Sequence, residues 1–170
     1  MTRLTTRYTR RQFMVWGTAL GGALISILIS IPAIGFLLSP IFSKKTYTWV
    51  TVGPIDRVPI GVPTPMVAQL PLTQGPPAPP QPRVVYVVRH ADGSTKALSS
   101  ICTHMQCNVH WDTQLQQFLC PCHGGLYDID GTNTGGPPPQ PLPQWIHRIT
   151  QDPATGQHVL EIQNQLDESI

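Results

Sequence analysis

The residues best suited to chemistry lie in two short segments, which contain all four cysteines of this 170-residue sequence. The first reads Cys-Thr-His-Met-Gln-Cys from Cys102 to Cys107, and the second reads Cys-Pro-Cys-His-Gly-Gly from Cys120 to Gly125. Each segment offers one cysteine and one histidine at close spacing and keeps a second cysteine. Two cysteines and two histidines together can hold a metal centre. The remaining two cysteines could form a disulfide that links the segments.

Other kinds of site use the same residue types. Zinc accepts two cysteines and two histidines, but the Cys-x-His spacing and the companion cysteines match zinc fingers poorly. Two disulfides without a metal would leave His104 and His123 without a role. An iron–sulfur cluster in which two histidines replace two cysteines on one iron uses both residue types. We favour this third interpretation.

The arrangement C-x-H, fifteen residues, C-x-x-H, with the two companion cysteines placed as here, resembles the Rieske iron–sulfur family. It resembles the quinol–cytochrome c reductase branch in particular. The resemblance implies a 2Fe-2S cluster whose inner ferric iron is bound by Cys102 and Cys120. It implies that His104 and His123 bind the outer iron, which is the iron that changes valence. The same two imidazoles are expected to contact the substrate.

Further positions carry the same resemblance. Cys107 and Cys122 match the disulfide that bridges the two cluster loops, a pair that Rieske ferredoxins and ring-hydroxylating oxygenases typically lack. The stretch Gly-Pro-Pro-Pro at 136–139 matches the proline loop that covers the cluster, which places Pro138 against the cofactor. Tyr127 matches a tyrosine whose hydroxyl donates to a ligand sulfur, here that of Cys102.

Gly125 occupies a position where many ubiquinol-oxidising relatives carry a serine that donates to a bridging sulfide. A donor there stabilises the more negative, reduced cluster, so its absence should lower the reduction potential. Low-potential Rieske proteins serve menaquinol, and the resemblance therefore implies menaquinol as the substrate. Gln106 also departs from the family pattern, because glycine is usual before the disulfide cysteine; the sequence alone assigns no consequence to this difference.

An uncharged, apolar run lies near the N-terminus, from Phe13 to Phe42. It is long enough to cross a bilayer as a helix, and no polar stripe favours a buried helix of a soluble protein. We predict a transmembrane anchor at residues 13–38 and a flexible tether at 39–46. The run is long for a signal peptide and lacks a cleavage site just beyond it, so the anchor should be retained.

Flanking charge predicts the orientation of this anchor. Four arginines precede the run and two lysines follow it, namely Arg3, Arg7, Arg10, Arg11, Lys44 and Lys45. The heavier basic side stays cytoplasmic, which places residues 1–12 in the cytoplasm and the remaining domain outside the cell membrane. The paired arginines before an aromatic residue resemble a twin-arginine export signal, although they could also be topogenic charges alone.

Beyond the tether, residues 47–165 show short β-like runs separated by proline and glycine, which predict a mainly β fold: a small antiparallel domain with the cluster-binding segments, residues 102–125, on loops. The predicted strands are Thr46–Val52, Met66–Leu70, Arg83–His90, Thr95–Leu98, Gln117–Leu119, Leu126–Ile129, Trp145–Thr150 and His158–Ile162. The proline-rich stretch 75–82 is expected to be an extended surface loop outside any central strand.

Composition excludes some functions and leaves others open. The net charge is only +2, and the basic residues form no long run, so nucleic acid is not an expected partner. The four remaining histidines have no partner cysteine and are interpreted as structural or surface residues; they are His90, His110, His147 and His158.

The resemblance implies the electron-transfer subunit of a cytochrome bc-type complex, expected to be dimeric. Quinol held by a cytochrome b subunit would pass one electron to the cluster with coupled proton release, and a c-type haem would receive that electron. One alternative is the Rieske small subunit of an arsenite oxidase-like molybdoenzyme, which a co-purifying molybdenum subunit would reveal. Another is a membrane-anchored interaction module that uses the proline-rich loop and keeps its activity when the cluster is lost.

Overall fold

The computed structural model describes residues 9–42, 44–73 and 78–167 of the chain. The chain divides into two units, residues 1–44 and residues 45–170. The first contains helix α1, and the second contains ten strands. Parts of three predicted features lie outside the described residues: Arg3 and Arg7 of the basic segment, Ser43 of the tether, and 75–77 of the proline-rich loop.

Helix α1 runs from Arg10 to Phe42. Its first turn is closed by a capping box, in which the backbone N–H of Gln12 donates to Thr9 Oγ1 and the backbone N–H of Thr9 donates to Gln12 Oε1, at 3.3 and 3.0 Å. The span Arg10–Ser39 is long and apolar enough to cross a membrane. The helix therefore begins before the predicted anchor at residue 13 and continues into the segment predicted as a flexible tether.

The predicted tether ends in contacts within the β unit. Asn164, which is buried, donates from Nδ2 to the carbonyl of Thr46 and accepts at Oδ1 from the backbone N–H of Thr48. The backbone N–H of Thr46 also donates to the carbonyl of Thr73. Among the described residues of the predicted tether, the chain is helical as far as Phe42 and hydrogen-bonded at Thr46; its flexibility stays a prediction.

The second unit is built from three antiparallel sheets, which confirms the mainly β fold. Their strand orders are β1-β10-β9, β2-β3-β4 and β5-β6-β7-β8. The strands are β1 Trp49–Pro54, β2 Thr64–Leu70, β3 Gln81–Arg89, β4 Thr95–Ser99, β5 His110–Asp112, β6 Gln117–Cys120, β7 Gly125–Tyr127, β8 Asn133–Gly135, β9 Trp145–Gln151 and β10 His158–Leu166.

Strand β3 separates two hydrophobic cores. Val85 and Val87 contribute to a core shared with β2, β4 and β10, while Tyr86 and Val88 face a second core beneath the cluster segments. All four side chains are buried. A strand buried on both faces needs apolar residues in succession rather than in alternation. This requirement explains why β3 is the strongest strand signal in the sequence.

Aromatic packing fixes the four-stranded sheet on the second core. Phe118 of β6 is fully buried, and its ring centroid lies 5.0 Å from that of Tyr86 and 4.9 Å from that of Trp111, both edge-on. The hydroxyl of Tyr86 donates to the carbonyl of Val109 at 3.4 Å. The four-stranded sheet, which carries the second cluster segment, is therefore held against β3 by packing rather than by shared strand pairing.

Two details differ from the sequence prediction. Strands β5 and β8 were not predicted, because three residues are too few to show a β pattern. The proline-rich loop was predicted to extend through Pro82, but Gln81 and Pro82 begin β3. Pro82 pairs only with Gln69 of β2, and β4 joins later, from Val85 onwards. Proline is tolerated where one side of a strand has no partner.

Candidate metal centre

The first cluster segment is a tight turn that follows β4. The backbone N–H of Cys102 donates to the carbonyl of Cys107 at 2.8 Å, and the backbone N–H of Gln106 donates to the carbonyl of Cys102 at 3.1 Å. An isolated bridge between Ile101 and Asn108 closes the base of the turn. The segment is thus held by its own backbone, with His104, Met105 and Gln106 exposed at its tip.

The second segment repeats this turn between β6 and β7. The backbone N–H of Gly124 donates to the carbonyl of Cys120 at 3.0 Å, as that of Gln106 does to Cys102. Both donors have a positive φ, 70° at Gly124 and 58° at Gln106. The equivalence explains why glycine is usual at position 106: the turn requires a left-handed residue there, and a side chain makes that conformation costly.

A disulfide between Cys107 and Cys122 joins the two segments, with a Cα–Cα distance of 6.5 Å. This is the bridge that the family resemblance implies. Because it spans fifteen positions of the chain, it restrains the relative placement of two turns that share no backbone pairing.

The four predicted ligand residues divide into an inner and an outer pair. Cys102 and Cys120 are free thiols, and only 1% and 2% of their surfaces are exposed. His104 and His123 are exposed, and their ring centroids lie 4.9 Å apart in an edge-on arrangement. The structure therefore brings all four together, with sulfur inside and imidazole at the surface.

Tyr127 is the polar contact of the inner pair. Its hydroxyl, which is fully buried, lies 3.3 Å from Cys102 Sγ and accepts from the backbone N–H of Thr103 at 3.2 Å. The hydroxyl of Thr103 donates to the carbonyl of Gln140 at 2.7 Å, so its proton is committed elsewhere. The phenol proton of Tyr127 then has two acceptors within reach, Thr103 Oγ1 at 3.2 Å and Cys102 Sγ at 3.3 Å, and the sulfur is the stronger acceptor when it is a thiolate.

The electrostatics of the inner pair differ between its two thiols. Burial works to raise the pKa of Cys102, but the hydrogen bonds from Tyr127 and from the backbone outweigh burial and leave this pKa below its ordinary value. Burial raises the pKa of the Cys120 thiol. Burial also raises the pKa of the Tyr127 phenol, and the nearby sulfur raises it further, so the phenol keeps its proton and acts as a donor.

The proline loop packs directly on the second segment. A Cβ placed on Gly125 would lie 2.6 Å from Cγ of Pro138, and one on Gly136 would lie 2.6 Å from the carbonyl oxygen of Gly124. Pro138 and Gly125 are both buried. The loop 136–139 thus covers this side of the site through backbone contacts that only glycine permits.

Comparison with known proteins identifies the family. Residues 48–146 match the family described as Rieske [2Fe-2S] domain, which is more than half of the chain. The chain belongs to the Rieske family.

Relatives of this Rieske protein include subunits of membrane complexes. A cytochrome b6-f complex iron-sulfur subunit from Chlorobaculum tepidum is 34% identical over 142 residues, which are 84% of this chain and 71% of that protein. A menaquinol:cytochrome c reductase iron-sulfur subunit from Geobacillus thermodenitrificans is 33% identical over 138 residues, 78% of this chain and 80% of that protein. The subunit of that name from Bacillus subtilis is 45% identical over 60 residues, 34% of this chain and 35% of that protein.

The residues present fit the Rieske cofactor. The family's 2Fe-2S cluster takes two thiolates on one iron and two imidazoles on the other, and the chain offers two buried thiols behind two exposed imidazoles. A group of three neighbouring cysteine sulfurs does not form an alternative metal site. The Sγ atoms of Cys107, Cys120 and Cys122 lie within 4.8 Å of one another, but two of them are bonded in the disulfide and carry no thiolate to donate.

Sequence reasoning missed the roles of Thr103 and Gln140. The contact between them connects the first segment to the residue that follows the proline loop, 37 positions away. A threonine beside a cysteine gives no signal of such a distant partner. His147 has the contacts expected of a structural histidine. Both of its ring nitrogens lie within 3.1 Å of backbone carbonyl oxygens, those of Trp145 and Thr95.

Proposed function

We propose that this chain is the iron–sulfur subunit of a membrane-bound quinol–cytochrome c reductase. One observation carries the proposal: two buried thiols lie behind two exposed imidazoles at the surface of a Rieske domain. An exposed histidine pair suits direct contact with a membrane substrate. The relatives that span most of this chain are named as subunits of cytochrome b6-f or menaquinol:cytochrome c reductase complexes, which supports the proposal.

Each ligand residue has a role that follows from its burial. Cys102 and Cys120 would hold the inner iron, and His104 and His123 the outer iron. The bound cluster supplies a centre that accepts and returns one electron. Each imidazole keeps a ring nitrogen that binds no metal, and this nitrogen can accept a proton from quinol at the surface. The exposed histidine pair would therefore receive the proton, while the buried cysteines exclude water from the inner side.

Menaquinol is the quinol that we propose, on the ground of Gly125. The site offers no hydroxyl at this position, and a Cβ there would meet Cγ of Pro138 at 2.6 Å. Without that donor the reduced cluster is less stabilised, so the reduction potential is lower, as oxidation of a low-potential quinol requires. Two of the relatives are named for menaquinol, which agrees with the proposal.

The membrane arrangement completes the proposed function. Helix α1 would anchor the chain in the cell membrane as a single pass, with the basic N-terminus in the cytoplasm and the Rieske domain outside. The partners would be a cytochrome b subunit, which holds the quinol, and a c-type cytochrome, within a dimeric complex. The pivot for movement between them would lie between Phe42, where the helix ends, and Thr46, where contacts with the β unit begin.

Purification of the membrane complex tests this assignment. The full chain should co-purify with b-type and c-type haems, and lipid extracts of the complex should contain menaquinone as the principal quinone. The purified complex should reduce cytochrome c with menaquinol, and removal of the cluster should abolish this activity. A co-purifying molybdenum subunit would instead identify an arsenite oxidase-like enzyme, and activity that persists without the cluster would identify an interaction module.

A further inference from the structure

Three sulfur atoms meet at one side of the cluster site. The Sγ atoms of Cys107, Cys120 and Cys122 all lie within 4.8 Å of one another, although only the first and the last are bonded. Cys120 is free and almost fully buried. Among the described residues, Cys102 is the other free cysteine and does not belong to this group. One thiol is thus placed beside a disulfide with which it can react.

We propose that Cys120 is a latent third partner of this disulfide. When no metal holds its sulfur, the thiolate of Cys120 attacks Sγ of Cys107, and the bridge moves from Cys107–Cys122 to Cys107–Cys120. One S–S bond forms as one breaks, and the electron pair of the broken bond leaves on Cys122 as a thiolate. The number of disulfides is unchanged, so the step needs no external oxidant or reductant.

Exposure and chain geometry select Cys107 as the sulfur attacked. The leaving group is then Cys122, which is exposed, so that the new thiolate is solvated at once. Attack at Cys122 would instead join Cys120 to Cys122 across Pro121 alone. The fixed φ of proline and the two-residue separation make that bridge strained. Cys107 comes from the other segment and imposes no such ring.

The exchange has a consequence for the way in which the chain acquires its cluster. This consequence rests on the proposed function, because it requires Cys120 to be a cluster ligand. A bound iron occupies the sulfur of Cys120 and prevents the exchange. Loss of iron converts this ligand into half of a disulfide, so the cluster cannot be rebuilt until the bridge is reduced. The chain should therefore receive its cluster from a cluster-donating reaction that acts before the disulfide forms, or together with its formation.

Disulfide mapping of the full chain tests the exchange. The cluster-loaded protein in detergent is treated anaerobically with an iron chelator and no added thiol, and circular dichroism checks that it stays folded. Samples are blocked with N-ethylmaleimide at intervals and cleaved before Asp112, so that Cys102 and Cys107 lie on one peptide and Cys120 and Cys122 on the other. The two linkages give linked peptides of equal mass, and fragmentation between Cys120 and Cys122 in the mass spectrometer shows which of the two carries maleimide. The Cys107–Cys122 linkage should predominate at first; Cys107–Cys120 should then accumulate to become the major linkage, with maleimide on Cys122.

Matched variants distinguish this exchange from general scrambling. Cys120→Ser should retain the Cys107–Cys122 linkage, whereas Cys102→Ser should still allow the bridge to move. The proposal is overturned if the folded wild-type chain keeps its original linkage and carries maleimide on Cys120, or if Cys102 enters disulfides as often as Cys120. Iron content separates the exchange hypothesis from the assignment of Cys120 as a cluster ligand. If the wild type shows the exchange and Cys120→Ser still binds two irons, only the ligand assignment is contradicted.

Discussion

The hydroxyl of Tyr127 is the group through which the protein can adjust the inner sulfur most directly. It lies 3.3 Å from Cys102 Sγ in a fully buried position. Tyr127→Phe should lower the reduction potential, because the donor stabilises the more negative, reduced state. A differential hydrogen bond of about 1 kcal/mol corresponds to roughly 40 mV for one electron. Redox titration followed by EPR measures this change.

Tyr86→Phe is the matched control for that prediction. Tyr86 also donates from a buried hydroxyl, but its acceptor is the carbonyl of Val109 and not a sulfur. The control should lose up to about 1 kcal/mol of stability and leave the potential unchanged. Equal shifts of potential in the two variants would contradict a specific role for the contact between Tyr127 and Cys102.

Gly125 gives a prediction in which the hydroxyl must be separated from steric effects. Any Cβ at this position would meet Cγ of Pro138 at 2.6 Å and Cβ of Cys120 at 3.4 Å. Gly125→Ala and Gly125→Ser should therefore both displace the proline loop and reduce stability. The serine variant should nevertheless have a higher potential than the alanine variant, by roughly 40 mV for one added hydrogen bond. A serine potential equal to or below that of alanine would remove the structural basis for menaquinol.

Gln106 is strained by the turn that it occupies. Its φ of 58° lies in the left-handed region, and this conformation destabilises the fold by roughly 1–2 kcal/mol for a residue with a side chain. Glycine avoids that cost but loses more conformational freedom on folding, which offsets about 0.5–1 kcal/mol of the gain. Gln106→Gly should raise the free energy of unfolding by roughly 0.5–1 kcal/mol. Chemical denaturation measures it, and Gln114→Gly, an exposed glutamine outside the positive-φ positions, should give no gain.

At the scale of the elements, the disulfide adds a covalent link between two turns that the β5–β6 hairpin already connects. It closes a separation of fifteen residues, for which the chain-entropy estimate is about 3 kcal/mol. The double variant Cys107→Ser with Cys122→Ser should therefore lose its cluster at a lower temperature than the wild type. The sheets β1-β10-β9 and β2-β3-β4 lie outside the closed loop, and β5 and β6 inside it keep their own backbone pairing, so far-UV circular dichroism should change little. A cluster as thermally stable as that of the wild type would show that the proline loop alone suffices.

Strand β3 shows why the sequence predicted some elements and not others. Val85 to Val88 form a continuous apolar run because the strand is buried on both faces, and that pattern is strong. The hairpins β3–β4 and β9–β10 were also predicted correctly, since Asp92-Gly93 and the turn 152–156 separate their strands. Strands of three residues such as β5 depend on tertiary packing of Trp111 against Phe118, which no local pattern reports.

The cluster site was more predictable than its surroundings. Residue type and spacing were enough to propose Cys102, His104, Cys120 and His123 as ligands, and the structure agrees in so far as both thiols are buried and the two imidazole rings are neighbours. The contact between Thr103 and Gln140, and the approach of Pro138 to Gly125, depend on how distant loops fold onto the site. These contacts hold distant loops against the site, and sequence spacing contains no information about them.

At the scale of the whole molecule, the chain combines one apolar helix with a Rieske domain. The helix is long and apolar enough to cross a membrane, and the exposed histidines are where we propose that an electron and a proton are received together. Neither feature alone specifies a quinol reductase. Their combination in one chain, with relatives from two kinds of cytochrome complex, favours this function over a soluble electron carrier.

Redox titration of the purified full chain, followed by EPR with metal analysis on the same sample, tests the central claim most directly. The protein should contain two irons and two acid-labile sulfides per chain and give a Rieske-type EPR signal upon reduction, and His123→Ala should lose that signal. The variant His158→Ala, an exposed histidine of β10, should retain it. A colourless, zinc-containing protein with no EPR signal after reduction would contradict the account.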